Sequence, residues 1–245
     1  MRNIKITLEY RGANYRGWAR QPGCLTIEGV LLESLEKIIK EKTNLIVSGR
    51  TDAGVNAKGQ VFNFLTKKKI PADGIKRALN TILPNDIQIL KAVDTDFEFH
   101  SRFSAKKKDY RYIIAKERSV FENGLVYYCP YKLDLDVMRK AAGLFIGEHD
   151  FKIFSVADKT RKRIKTVRTL NKLDIVSKKN KIILDFSGRS FLRGMVRLIG
   201  GMLIDVGRGR IGLEVIKKGL KGNSPIKEKW FLLPANGLYL MKVYY

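Results

Sequence analysis

The sequence predicts an α+β fold made of two similar halves. Short runs in which apolar and polar residues alternate indicate strands, and longer runs with an apolar stripe at helical spacing indicate helices. The order of these runs is β-α-β-β-α-β in both halves, which is the order of a ferredoxin-like unit. We therefore expect two ferredoxin-like halves with a mixed, mainly antiparallel sheet, helices on one sheet face and the other face open.

The first half has one complete set of six elements. They are predicted as a strand at 3–10, a helix at 26–42, strands at 44–49 and 59–66, a helix at 71–82 and a strand at 86–93. Thr26 occupies the N-cap position of the first helix, whose apolar residues form a single stripe. Pro71 begins the second helix, because proline is tolerated in the first turn.

The second half repeats this order with insertions. Its predicted elements are a strand at 109–116, an extended piece at 124–129, a helix at 134–146, strands at 167–177 and 180–187, helices at 190–206 and 212–220, and a strand at 238–244. We place the domain boundary so that the first domain comprises 1–105 and the second 106–245. A chain of 245 residues is long enough for two such cores.

The charge is strongly positive and unevenly distributed. The chain has 48 Lys and Arg against 24 Asp and Glu, a formal net charge of +24. Residues 1–105 contain 17 basic and 11 acidic side chains, which leaves 31 basic and 13 acidic ones for 106–245. Such a field favours a polyanion, since each neutralised phosphate releases condensed counterions. The clusters at 106–108 and 161–168 are candidate phosphate contacts, with a solvated loop as the alternative for each.

One loop contains the most informative carboxylate of the chain. Residues 49–60 read Gly-Arg-Thr-Asp-Ala-Gly-Val-Asn-Ala-Lys-Gly-Gln, and Asp52 is their only acid. The segment lies between two strand-like runs, so we predict a loop, the kind of segment in which catalytic and binding groups are common. On the residues alone, Asp52 is equally well a turn cap, with Gly54 supplying a positive φ.

Ordered motifs along nearly the whole chain resemble the TruA family of RNA pseudouridine synthases. The 49–60 loop is similar to the family's Gly-Arg-Thr-Asp-Ala-Gly-Val-His-Ala. Further similarities lie, in family order, at 10–22, 99–112, 147–154, 191–209 and 234–240. The chain departs from the family pattern at Arg11, Ala19, Asn56, Arg193 and Gly194. The resemblance implies the same fold, with the two halves joined through a continuous sheet.

The resemblance also implies a catalytic pair. It identifies Asp52 with the catalytic aspartate and Arg197, in Phe-Leu-x-x-Met-Val-Arg, with the basic residue that pairs with it. A guanidinium beside a carboxylate favours the ionised, nucleophilic form. On the residues alone, Arg197 pairs equally well with another acid, such as Asp205, or with a phosphate.

Three more residues complete the substrate site that the resemblance implies. Tyr110 would stack on the target base, which must leave its own stack to react, and sheet packing is the alternative. Arg50 would hold RNA phosphate or fill the space that the base vacates, whereas a salt bridge within its loop is equally plausible. Leu238 would pack the floor of the pocket, with ordinary core packing as the alternative.

The activity that the resemblance implies is isomerisation of uridine to pseudouridine in tRNA. The family acts on the 3′ side of the anticodon stem-loop, as a homodimer in which one tRNA touches both subunits. The reaction needs no cofactor, because no hydride, phosphate or electron is exchanged. Two other functions remain open from the sequence: a noncatalytic RNA-binding protein, and a nucleoside glycosidase that uses a carboxylate.

The sequence has no pattern typical of a metal, dinucleotide or membrane site. Cys24 and Cys129 lack ligand spacing, as do His100 and His149, and we expect both cysteines to be buried thiols. No phosphate-loop glycine pattern occurs. The sequence starts with a strand-like run rather than a targeting segment, and no apolar run approaches the ~20 residues of a membrane span. We expect a cytoplasmic protein with no metal, small-molecule cofactor or membrane partner.

Overall fold

The computed structural model describes residues 1–157, 165–222 and 230–245. The chain forms two compact units. The first comprises Met1–Lys106 together with Tyr239–Tyr245, and the second comprises Lys107–Leu238. Residues 239–245 are thus grouped with the first unit, although they follow the second unit in the sequence.

The first unit contains the six predicted elements and one further strand. They are β1 (Arg2–Tyr10), α1 (Ile27–Ile39), β2 (Ile46–Val47), β3 (Asn56–Thr66), α2 (Ala72–Ile82), β4 (Ile87–Thr95) and the terminal strand β10 (Leu238–Tyr244). β10 belongs to this unit from Tyr239 onward. β1 pairs antiparallel with both β3 and β4, and β2 pairs antiparallel with β3. β10 pairs parallel with β3, through Tyr239 opposite Asn56 and Leu240 opposite Ala57.

Burial in the first unit follows the sequence pattern. The alternate residues Ile4, Ile6 and Leu8 of β1 are fully buried, as the two-residue period of a strand requires. Thr26 caps α1, its hydroxyl accepting a hydrogen bond from the Gly29 amide at 3.3 Å. α1 ends before the predicted residue 42, because Lys40 adopts a left-handed conformation with φ of 51°.

Within the described residues, the second unit contains five strands and three α-helices. They are β5 (Lys107–Ala115), β6 (Tyr127–Tyr128), α3 (Leu135–Gly143), β7 (Gly147–Asp150), β8 (Val167–Lys178), β9 (Lys181–Gly188), α4 (Met195–Gly207) and α5 (Leu213–Leu220). β9 pairs antiparallel with β5 and β8, and β7 pairs antiparallel with β8. β6 pairs parallel with β5. The α+β prediction is confirmed.

Two glycines explain where the second unit departs from the predicted elements. Gly194 has a φ of 68°, so α4 begins at Met195 instead of at 190. Gly147 has a φ of 107° and begins β7, a short polar strand that the sequence pattern did not predict. α3 packs on α4 at Gly207, where a Cβ atom would lie only 2.6 Å from the Met138 sulfur.

The two basic clusters differ in how much of them the structure describes. Residues 161–164 of the second cluster lie outside the described residues, whereas Arg168 is described and donates from Nη1 to the carbonyl oxygens of Lys165 and Val167, both at 2.7 Å. In the first cluster Lys106 is exposed, whereas Lys108 lies on β5 and is buried. The first cluster is therefore not simply a solvated loop.

Cys129 is buried, as expected, but Cys24 is exposed. Cys24 lies in the segment before α1, next to Gly23, whose φ is 66°, and this turn places it at the surface. In the described part of the chain, no helix combines the length and the apolar character needed to cross a membrane.

Candidate active site

Asp52 lies in the loop that joins β2 to β3, as the sequence predicted. Its side chain is half-buried, and Arg50, two residues earlier, is exposed. The chain turns directly after Asp52, whose carbonyl accepts from the Val55 amide at 3.2 Å. Gly54 in this turn has a φ of 77°, so the predicted positive φ is confirmed.

The segment after β1 packs against this loop through backbone atoms. The Trp18 amide donates to the Thr51 carbonyl at 3.0 Å, and the Gly54 amide donates to the Tyr15 carbonyl at 3.3 Å. Gly17 has a φ of 93°, and a Cβ atom there would lie 2.8 Å from the Thr51 carbonyl oxygen. The residues on both sides of Asp52 are therefore fixed by hydrogen bonds to a segment that approaches too closely for a side chain at position 17.

A chain of buried polar side chains holds the same loop from the core side. The hydroxyls of Tyr10 and Thr51 are 2.8 Å apart. Gln60 donates from Nε2 to the Gly49 carbonyl at 2.9 Å and, over 3.4 Å, to the Tyr10 hydroxyl, while its Oε1 accepts from the Ser48 hydroxyl at 2.7 Å. Burial raises the pKa of Tyr10 to about 12, although its hydrogen bonds with Thr51 and Gln60 oppose the shift. This row of buried polar side chains is therefore uncharged at neutral pH.

Asn56, which replaces the histidine of the family motif, is also part of this support. It is 1% exposed, and its Oδ1 accepts from the Gly12 amide at 2.8 Å. A Cβ atom on Gly12 would lie 2.2 Å from the Val55 carbonyl oxygen, so the two backbones are in close contact here. Asn56 thus satisfies a buried amide next to the Asp52 loop. The motif did not reveal this role, although a polar residue at the start of an otherwise buried strand is a usable signal.

Tyr110 belongs to the second unit and lies on β5, opposite Phe186 of β9. It is half-buried. Its ring makes a T-shaped contact with the ring of Phe191, with centroids 5.0 Å apart and planes inclined by 72°. Such aromatic pairs typically contribute about 0.5–1.5 kcal/mol beyond the area they bury. Tyr110 is thus held by the sheet and by one aromatic neighbour.

Arg197 lies on α4 and is tied to the segment that precedes β10. Its Nε donates to the Leu233 carbonyl at 2.6 Å, and the Leu233 amide donates to the Arg197 carbonyl at 3.4 Å. This segment can approach α4 because glycines face it: Cβ atoms would lie 2.6 Å from Leu233 Cδ1 at Gly200 and 1.8 Å from the Phe231 oxygen at Gly201. The carbonyl contact fixes one edge of the guanidinium group.

Two neighbouring groups complete this part of the second unit. Asp205, the alternative acid considered for Arg197, accepts from Arg210 at 3.4 Å. The buried Tyr112 donates from its hydroxyl to the Pro234 carbonyl at 2.7 Å. Burial raises the pKa of Tyr112, and the positive charge of Arg197 opposes that shift. Arg197 and Tyr112 therefore hold the same short segment by adjacent carbonyls.

Leu238 is buried at the start of β10. It follows Gly237, where a Cβ atom would lie 2.8 Å from the Tyr112 ring and 2.9 Å from the Ile113 carbonyl oxygen. The second unit therefore contains Tyr110, Arg197 and Leu238, and the first contains Asp52 and Arg50. Among the described residues, no group of three or more His, Cys, Asp or Glu side chains could hold a metal ion.

The chain is similar to a known family over most of its length. The family model described as tRNA pseudouridine synthase matches residues 6–104 and 141–245. Proteins named tRNA pseudouridine synthase A align over this whole chain. The protein from Citrifermentans bemidjiense is 42% identical to this chain, and the alignment covers 98% of its length. Those from Caldicellulosiruptor bescii and Clostridium kluyveri are 41% and 42% identical, and the alignments cover 100% of each.

These similarities cover both units and include the Asp52 loop, the Arg197 helix and β10. The family match exceeds half of the chain, and the identity to each relative is above 40%. The chain therefore belongs to the TruA family of tRNA pseudouridine synthases and is an isomerase of that class.

Proposed function

We propose that this protein converts uridine to pseudouridine in tRNA, on the 3′ side of the anticodon stem-loop, with Asp52 as the nucleophile. The observation that carries the proposal is the similarity over the whole chain to proteins named tRNA pseudouridine synthase A. The position within tRNA rests on the motifs that the chain shares with the family. The net charge of +24 supports a nucleic acid substrate.

The support for Asp52 is the way in which its loop is held. The carboxylate follows Thr51, whose carbonyl and hydroxyl are both hydrogen-bonded to other segments of the first unit. A reacting group that is fixed in this way loses little entropy on approach to the substrate. A turn cap alone would not need support from both the backbone and a buried polar chain.

The proposed reaction rearranges bonds within one nucleotide. Asp52 attacks the ribose anomeric carbon or the base, or it assists elimination from the ribose, and the N-glycosidic bond breaks. The detached uracil turns and its C5 bonds to the anomeric carbon, while any covalent bond to Asp52 breaks and the carboxylate is released. The C5 proton then leaves and N1 gains a proton. No hydride, phosphate or electron is exchanged, so this chemistry uses no cofactor. Exclusion of water protects the intermediate from hydrolysis to an abasic site.

We assign the remaining site residues as the family motifs imply. Arg197 pairs with Asp52 and favours its ionised form, and the Leu233 carbonyl supports this role by orienting the guanidinium. Tyr110 stacks on the flipped base, supported by its fixed place on β5. Arg50 contacts phosphate or fills the space left by the base, and Leu238 packs against the uracil. We also propose a cytoplasmic homodimer in which one tRNA touches both subunits.

The test is incubation of the protein with unmodified tRNA transcripts, followed by chemical mapping of pseudouridine. We expect product in the anticodon stem-loop with the wild type and none with a folded Asp52→Asn variant. Asp73→Asn is the matched control, because Asp73 is an exposed acid of the same unit that pairs only with Arg77 on α2 among the described salt bridges.

Three results would contradict the proposal. Turnover by the folded Asp52→Asn variant would show that Asp52 is not the nucleophile. Release of free uracil would indicate a glycosidase instead. Binding of tRNA by the wild type without any isomerised product would indicate a noncatalytic RNA-binding protein.

A further inference from the structure

The loop that follows β4 presents an aromatic cluster to solvent. Phe103 is 74% exposed. Its ring centroid lies 4.3 Å from that of His100, with the planes inclined by 32°, and the Arg102 Cζ atom lies 5.6 Å from the Phe103 centroid. We call these three residues the Phe103 cluster. Isolated apolar residues are common at protein surfaces, but here two rings and a guanidinium lie together.

Two buried asparagines fix the loop to the core of the first unit. Asn3 donates from Nδ2 to the carbonyls of Asp96, Phe97 and Phe99 at 2.9–3.1 Å. Asn63 accepts from the Ser101 amide at 2.8 Å and donates to Asn3 Oδ1 at 2.9 Å. Buried polar groups with all these partners satisfied give a rigid arrangement. The loop is therefore held from beneath at several points.

The cluster is also ordered from within. The His100 Nδ1 accepts from the amides of Arg102 and Phe103, at 3.2 and 3.3 Å. The Ser104 amide donates to the His100 carbonyl at 2.9 Å, and the Ser104 hydroxyl accepts from the His100 amide at 3.2 Å. The imidazole therefore fixes the backbone of Phe103 as well as contacting its ring.

We propose that the Phe103 cluster is a stacking platform for an unpaired base of the tRNA, with Arg102 contacting an adjacent phosphate. This inference rests on the proposed function and adds a second place of contact on the first unit, outside the residues assigned above. Exposed aromatic rings that are already ordered bind bases at low entropic cost, and any base offers a π face. Arg102 strengthens such a site, since guanidinium groups both stack on bases and bind phosphate.

An apolar partner protein fits these observations less well. The ring stands beside an arginine, and the chain has twice as many basic as acidic residues, so a polyanion is favoured over an apolar surface. A second copy of this chain carries the same positive charge. We therefore assign the platform to RNA, and a contact between subunits becomes an outcome of the test.

The test measures binding of an unmodified tRNA transcript in the Asp52→Asn background, in which the RNA stays unconverted. We expect Phe103→Ala to raise the dissociation constant about 5- to 100-fold, as for loss of one stacked base. Phe103→Trp should retain affinity, and its added fluorescence should be quenched by the transcript. Arg102→Gln should reduce the dependence of log K on log salt by about one phosphate contact.

Phe121→Ala is the matched control. Phe121 is 92% exposed on a short 3₁₀ turn, so its removal deletes an even more exposed phenyl ring from a different part of the chain. We expect its dissociation constant to equal that of the parent. Equal losses in both variants would mean a nonspecific apolar effect and would overturn the proposal.

Two further outcomes separate this inference from the proposed function. If the wild type isomerises tRNA but the Phe103→Ala variant binds it with unchanged affinity, the stacking proposal is wrong and the proposed function stands. If the wild type forms no pseudouridine, the proposed function fails whatever Phe103→Ala does. A change in molar mass of the Phe103→Ala variant by light scattering, with unchanged affinity for the transcript, would assign the cluster to a subunit contact.

Discussion

Replacing Tyr10 with phenylalanine deletes one buried hydroxyl and leaves the ring in place. The hydroxyl lies 2.8 Å from that of Thr51. Gln60 keeps its bonds to Gly49 and Ser48. Leaving one buried polar group unsatisfied costs about 1–3 kcal/mol. The hydrogen bond from Gln60 to the Tyr10 hydroxyl is long, at 3.4 Å, so its loss adds little. We therefore expect the free energy of unfolding to fall by an amount in the lower part of that range.

The same change should impair the reaction more than the binding of substrate. Thr51 precedes Asp52, so a loosened Thr51 side chain allows the carboxylate to move, and a displacement near 1 Å costs up to about 100-fold in rate. We expect kcat to fall about 10-fold, with a smaller change in KM for tRNA. Urea unfolding and single-turnover formation of pseudouridine measure the two effects. Tyr128→Phe, at an exposed tyrosine, is the control and should change stability by less than about 0.5 kcal/mol.

A double-mutant cycle with Thr51→Val tests whether the two hydroxyls act together. Groups that share a hydrogen bond have coupling energies of about 0.5–3 kcal/mol. We therefore expect the double variant to be less destabilised than the two single variants taken together. Additive losses, or a Tyr10→Phe variant with wild-type stability and turnover, would refute the idea that this buried chain holds the Asp52 loop.

Two further changes follow from the structure. The free energy of unfolding should decline between pH 10 and 12, because the folded state, with a Tyr10 pKa of about 12, keeps a proton that the unfolded chain releases. The Tyr10→Phe variant should lack about 2–3 kcal/mol of this decline. Urea unfolding at each pH measures the difference. Gly201→Ala would place a Cβ 1.8 Å from the Phe231 oxygen and push the segment bound by Arg197 away from α4, so we expect a loss of about 1–3 kcal/mol and reduced turnover. Gly143→Ala, where a Cβ would meet no described residue within 4 Å, should be tolerated, and equal stability of both alanine variants would show that the close contact at Gly201 has no effect.

The sequence was most informative where periodicity and capping act locally. The apolar stripe after Thr26 and the alternation in β1 correctly predicted α1 and the buried strand face. Boundaries failed where a single residue adopts a left-handed backbone. Lys40 ends α1 early although lysine gives no sign of a positive φ, and Gly194 delays the start of α4. Local propensity does not determine such positions, because the surrounding packing does.

The candidate site was predictable in its residue types but not in its supports. The motif identified the Asp52 loop, and Gly54 gave the expected turn. The supporting contacts join residues far apart in sequence, such as Tyr10 with Thr51 and Gly12 with Asn56. A single sequence contains no information on which distant polar groups meet, so the role of Asn56 became visible only from its buried contact with the Gly12 amide.

The parallel pairing of β10 with β3 has a consequence for how the chain matures during synthesis. Asn56 and Ala57 find their partners in Tyr239 and Leu240, which leave the ribosome roughly 180 residues later. At typical elongation rates of 5–20 residues per second this interval is roughly 10–40 s. β1 and β2 pair with β3 early, but its Asn56–Ala57 end waits without a partner on the β10 side until the intervening unit has been made. Nascent chains released before residue 239 lack this pairing, so we expect a prematurely terminated product to be more open to proteolysis at that end of β3.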